Sequence, residues 1–202
     1  MRLRRLFQKK TKKFFIKKLS NNFSTLFQAF NMSERIYSDI PYVNVKFKKN
    51  SSLAKKNETI LLKIDGTILP KVLETGDFDV FLIKFLKKNV KKNSIFVDIG
   101  SNHGLVSRQV SNINLIKKII CFEPVKEIFD LSVFNTKNIK NIERNNYGWA
   151  NKKGFKFFFE NPSNSGDFSL IPNKQRRIKH KFKFANAKTE LKKIIKNNKK
   201  NF

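Results

Sequence analysis

The chain has 202 residues, 40% of them hydrophobic, and a formal net charge of +29; it is long enough for one or two domains and too apolar to be disordered throughout. A single cysteine, Cys121, excludes an internal disulfide and suits a reducing compartment, and His103 and His180 stand too far apart to mark a metal site. No apolar run approaches the roughly 18 uninterrupted residues of a membrane span, and the basic start lacks a signal-peptide cleavage site, so the cytoplasm is the expected location.

Two explanations compete for the charge. A polyanionic partner, nucleic acid or an anionic membrane face, would be held by so many lysines. A bias toward A/T-rich codons would raise Lys, Asn, Ile and Phe together without any binding role, and the even spread of lysines along the chain fits that reading.

Residues 1–33 hold no acidic residue. Leu3, Leu6, Phe14, Phe15, Leu19, Phe23 and Phe27 recur loosely at helical spacing, so 1–40 is read as a basic leader, either solvated or lying as an amphipathic helix on a membrane surface. Residues 41–75 read as short strands, with "KIDGTIL" offering an Asp-Gly hairpin turn. From residue 76 the rhythm changes. Phe78, Phe81, Leu82, Phe85, Leu86 and Val90 share one face of a predicted helix. Ile95-Phe96-Val97 reads as a strand covered on both sides. Val106, Val110 and Ile113 mark a helix, "KKIICFEP" a second buried strand, and Ile128, Leu131 and Phe134 the inward side of another helix. "IERNNYGWA" is expected as a third strand. "GFKFFFE" is expected as a half-buried strand with Phe155, Phe157 and Phe159 facing inward, and "NAKTELKKIIKNNKKNF" as a final amphipathic helix. Strand and helix alternating in this way predict an α/β fold, a parallel βαβαβ sheet with helices on its faces.

Cys121 sits in an apolar run and reads as a small core residue. The chemistry concentrates in "SIFVDIGSNHG". In a parallel sheet, ligands bind beyond the carboxyl ends of the strands, where the first strand delivers Asp98 and Gly100. Gly100 and Gly104 leave room for a ligand, and the helix beginning at Gly104 offers free N–H groups. The next strand ends in Glu123, a place from which a carboxylate accepts both vicinal ribose hydroxyls. The Gly-x-x-x-Gly spacing lacks the pyrophosphate fingerprint. A ribose-bearing ligand without obligatory pyrophosphate is therefore expected, and S-adenosylmethionine fits.

"FVDIGSNHGLVS", "CFEP" and "NSGDFSL" together resemble the FkbM-type family of S-adenosylmethionine-dependent methyltransferases, over about Gly76 to Ser169. The resemblance implies a Rossmann-like class I methyltransferase sheet across 76–202 and methyl transfer to a hydroxyl of a sugar, glycolipid or other small metabolite. It implies that Asp98, Gly100, Ser101, Asn102 and Gly104 line the methionine part of the cofactor, with Asp98 near its ammonium group, and that Glu123 holds the ribose. His103 departs from the apolar residue usual in the family, and Asn151 stands where an acid is common. Nothing here corresponds to the family's later Lys-x-Asp-x-Glu-Gly-like strand, so the C-terminal half of the domain is expected to be missing. Ile95 to Val97 would then be an open sheet edge prone to self-association. The alternative, a basic protein binding nucleic acid or a membrane surface through the same fold, rests on aromatics interleaved with lysines in "KFKF" and "GFKFFFE"; a strand packing its core face explains that alternation better, so nucleic acid is not the expected partner.

Overall fold

The computed structural model describes residues 42–64, 67–161, 166–176 and 178–199. The leader, the Asp65-Gly66 turn, and Asn164 and Ser165 of the third motif lie outside these residues. The chain divides into two compact units, 1–80 and 81–202.

In the first unit, β1 (Tyr42–Lys46) and β2 (Thr59–Lys63) pair antiparallel. Val43 opposes Leu62 and Val45 opposes Ile60, so alternation puts four buried apolar residues on one face. The apolar run after β2, expected as the second arm of a hairpin, is instead the helix α1 (Ile68–Thr75), which lies against β2. Ile68, Leu69, Val72 and Leu73 are its buried stripe, a spacing of three and four that suits a helix and no strand. Gly76 ends it in the left-handed conformation, its N–H donating to the Val72 carbonyl at 2.8 Å.

The second unit carries the alternation predicted for an α/β fold. After α2 (Val80–Asn89), which begins at the boundary, come β3 (Ser94–Ile99), α3 (Leu105–Val110), β4 (Ile116–Phe122), α4 (Lys126–Thr136) and β5 (Ile142–Asn145). The strands form a three-stranded parallel sheet in the order β3-β4-β5. Central β4 is the buried one. Ile119 and Cys121 on one of its faces join Ile83, Val110, Ile113, Ile116 and Ile142 in a single core, and Phe122 on the other packs on Tyr147 and Trp149. Cys121 is a core residue as expected, its thiol pushed up to about 12 mainly by burial.

Several apolar faces differ from expectation, among them that of "GFKFFFE", where Phe155 and Phe157 are exposed rather than inward. On α2, Ile83 is buried with Leu86 and Val90 packed beside it, while Phe81 and Phe85 are 86% and 62% exposed. The helix carries two apolar stripes, and the aliphatic one, which interdigitates with Val110 and Ile113, goes inside. Phe134 of α4 is exposed beneath the Lys137 ammonium, whereas Ile128 and Leu131 are buried as expected. β3 is half-buried rather than covered on both sides, with Ile99 55% exposed. Among the described residues it is the outer strand of its sheet, which is where an open edge at Ile95 to Val97 was expected.

"IERNNYGWA" is two strands. After β5 the chain leaves the parallel sheet at Asn146 and Tyr147, and β6 (Gly148–Ala150) joins a second, four-stranded sheet with β7 (Gly154–Glu160), β8 (Phe168–Ser169) and β9 (Ile178–Asn186), in the order β6-β9-β7-β8. The amphipathic helix expected near the end is α5 (Ala187–Lys199).

Candidate functional site

The loop between β3 and α3 bends over the end of β4. The N–H groups of Gly100 and Ser101 both donate to the Phe122 carbonyl, at 2.8 and 3.0 Å. Reversing the chain so tightly needs left-handed backbone, supplied at Gly100 (φ +81°), Asn102 (φ +48°) and Gly104 (φ +75°); glycine adopts it freely and asparagine at small cost. The two glycines serve different ends. A side-chain carbon at Gly100 would meet nothing within 4 Å, so the space above it is open. A carbon at Gly104 would lie 2.7 Å from the Ser132 hydroxyl and 3.2 Å from Thr136, both on α4. Gly104 is therefore a packing glycine, and the expectation that it leaves room for a ligand is corrected: α4 occupies that room.

Asp98 turns its carboxylate under α3, where Oδ2 accepts the Ser107 hydroxyl at 2.5 Å. Burial raises its pKa, and Ser107, through hydroxyl and backbone, opposes the rise. Asp98 thus meets the N-terminal turn of α3, a six-residue helix, so that turn offers less to a ligand than the sequence suggested. Ser107 is fully buried and also touches the Cys121 sulfur at 3.0 Å. Its signal in the sequence is a serine amid the apolar residues Val106 and Val110.

Glu123 is 5% exposed at the carboxyl end of β4. Its Oε2 accepts the Asn102 N–H and its Oε1 the Val125 N–H, each at 2.9 Å. The carboxylate therefore ties the glycine loop to the strand end, and each oxygen keeps a further lone pair. Burial pushes Glu123 up to about 7 despite the two amide bonds that favour its ionised form. The Glu123 carbonyl accepts from the Asn146 side chain at 2.8 Å, another partner the sequence did not reveal. Asn102 Oδ1 accepts the His103 N–H at 2.7 Å. His103 is fully buried, and its carbonyl accepts from Asn135 at 2.9 Å.

The structure thus gathers Asp98, Gly100, Ser101, Asn102, Gly104 and Glu123 around the ends of two adjacent parallel strands. The space above Gly100 is open, and the neighbouring Ser101 hydroxyl is buried with no hydrogen-bond partner among the described residues. A buried hydroxyl of that kind is costly unless a ligand or water completes it. Elsewhere, a cavity of about 150 Å³ lies between β4, β5 and α5. It is smaller than the roughly 300 Å³ at which small-molecule sites begin. Several of its polar walls are paired with each other, Lys118 with Glu143 at 2.6 Å and the Tyr147 hydroxyl donating to Glu190 at 3.0 Å.

Among the described residues, no helix is long and apolar enough to cross a membrane. No protein-family model, no curated protein and no solved structure matches this chain.

Proposed function

We propose that this chain is an S-adenosylmethionine-dependent methyltransferase of the FkbM type, with the cofactor seated over the Gly100–Asn102 loop. One observation carries the reading. Glu123, at the end of the strand next to the glycine loop, is held by the Asn102 and Val125 amides with acceptor capacity to spare. A ribose presents two adjacent hydroxyl donors to such a carboxylate.

The residues fit that group. Gly100 admits it to the backbone. Asp98 is a positioning residue, fixing the start of α3 through Ser107. When bound, the cofactor supplies an electrophilic methyl on a sulfonium. The protein's part is to hold an acceptor oxygen in line with it, so that proximity provides much of the rate. The acceptor class, a hydroxyl on a sugar, glycolipid or small metabolite, follows from the family resemblance.

Replacing Glu123 would mix two effects, because alanine also leaves the Asn102 and Val125 amides unpaired. Altering the ligand avoids this. Calorimetry with S-adenosylhomocysteine and its 2′-deoxy and 3′-deoxy analogues should show each deoxy compound binding at least tenfold more weakly, about 1.5 kcal/mol for one charge-assisted bond. Equal affinity for all three would remove Glu123 from the ribose and the reading with it.

A further inference from the structure

The face of β7 expected to pack inward lies largely in solvent, with only Phe159 partly buried. Phe155 and Phe157 are 65% and 50% exposed, and Lys179, Lys181 and Lys183 are exposed beside them. Register explains the arrangement. Phe155 opposes Lys183, Phe157 opposes Lys181 and Phe159 opposes Lys179, so one face carries a column of three rings beside a column of three ammonium groups. The rings stand about 7 Å apart along the strand, two residues at roughly 3.4 Å each. The opposite face has its own apolar partners, with Phe158 stacked on Phe184 at 5.2 Å and His180 on Phe182 at 5.6 Å.

We propose that this face of the β7–β9 ladder binds single-stranded nucleic acid, independently of methyl transfer. The occupant is chosen by its repeat. A single strand brings one phosphate and one flat base per unit, which matches one lysine and one phenylalanine per step of the ladder. Sheet aromatics that stack bases beside cations are an established mode of single-strand recognition. Codon bias can raise the number of lysines, but it does not place them in register against rings. Without a ligand, Lys179 lies over the Phe157 ring at 4.2 Å and Lys181 over Phe155 at 4.8 Å, which keeps exposed aromatics hydrated. Phosphates would draw these ammonium groups aside and free the ring faces for bases.

The test is fluorescence anisotropy of the full chain with a labelled oligo-uridylate, its duplex, and heparin as a charge-only competitor, repeated across a salt series. Phe155→Leu with Phe157→Leu keeps apolar bulk but removes the rings. It should weaken oligo-uridylate binding at least fivefold, since base stacking on the rings is lost, and leave heparin binding unchanged. Lys179→Gln with Lys181→Gln and Lys183→Gln should weaken both ligands and reduce the slope of log K against log salt by about 2, three phosphates at roughly 0.7 each. These exposed side chains lie outside the core, and unchanged thermal melts would confirm the fold. The proposal is overturned if the ring variant binds oligo-uridylate like the parent, if the duplex binds as well as the single strand, or if anionic vesicles depend on these rings while oligo-uridylate does not.

Discussion

Alanine at Gly104 and alanine at Gly100 should have different consequences, although both glycines have positive φ in one five-residue turn. At Gly100 the added carbon meets nothing within 4 Å, so only backbone strain at φ +81° remains, about 1–2 kcal/mol. At Gly104 the same strain applies, and the carbon also lies 2.7 Å from Ser132 Oγ and 3.2 Å from Ser132 Cα; overpacking of that kind adds about 1–3 kcal/mol. Urea denaturation followed by the fluorescence of Trp149 suits the comparison. It is the only tryptophan in the sequence, and it packs 4.8 Å from Phe122. Gly104→Ala should unfold at clearly lower urea than Gly100→Ala, with unchanged m-values. Adding Ser132→Ala removes the nearest obstructing atom and should restore part of the loss. Alone, Ser132→Ala should cost little, because that hydroxyl has no hydrogen-bond partner among the described residues. Equal destabilisation by the two glycine variants, or a double variant no better than Gly104→Ala, would refute the packing role.

The remaining expectations concern the core, a helix end and pH. Ile83→Ala should cost about 2–4 kcal/mol as a core truncation, and Phe81→Ala or Phe85→Ala under about 0.5 kcal/mol as exposed changes; denaturant midpoints of the three variants decide it. Arg144 donates to the Thr136 hydroxyl at 2.6 Å, to the Thr136 carbonyl and to the Ile142 carbonyl at 3.0 Å. Arg144→Ala should therefore lose about 2–3 kcal/mol of stability through charged hydrogen bonds, measured in the same way. Glu123 has its folded pKa at about 7, above the ordinary 4.5, so the fold favours its protonated form. Its stabilising contribution is complete below pH 4.5 and lost as pH rises through 7, about 3 kcal/mol in all. Wild type should lose that amount relative to Glu123→Gln across the interval, and parallel stability–pH curves would reject it.

Much of the candidate site was legible because it is local. The run into Asp98 and the glycines are contiguous in sequence, and a parallel sheet brings the acid before Pro124, at the end of the next strand, beside them. What Gly104 is for could not be read, because the atoms that require a glycine there, Ser132 and Thr136, belong to another helix. The βαβαβ order was legible from changes of period. The choice of faces was not. Alternation fixes which residues share a side of β7, but the inward side is decided by β9, whose Phe182 and Phe184 match Phe158 and whose lysines match Phe155 and Phe157. The basic stretch after Ser169 gave little sign of a nine-residue strand, since its lysines mask the alternating His180, Phe182 and Phe184. In α2 two apolar stripes competed, and packing against Val110 and Ile113 selected the aliphatic one.

The central claim is that the loop between β3 and α3 receives an adenosyl cofactor, and amide chemical shifts test it where it is made. Titrating S-adenosylhomocysteine into isotope-labelled full-length protein should move the amide signals of Gly100, Ser101 and Asn102, and that of Val125, whose N–H shares the Glu123 carboxylate. The signals of β7 and β9 should stay in place. Saturable shifts centred on that loop are the predicted result. Unmoved loop signals at millimolar ligand, or shifts confined to other elements, would contradict the account.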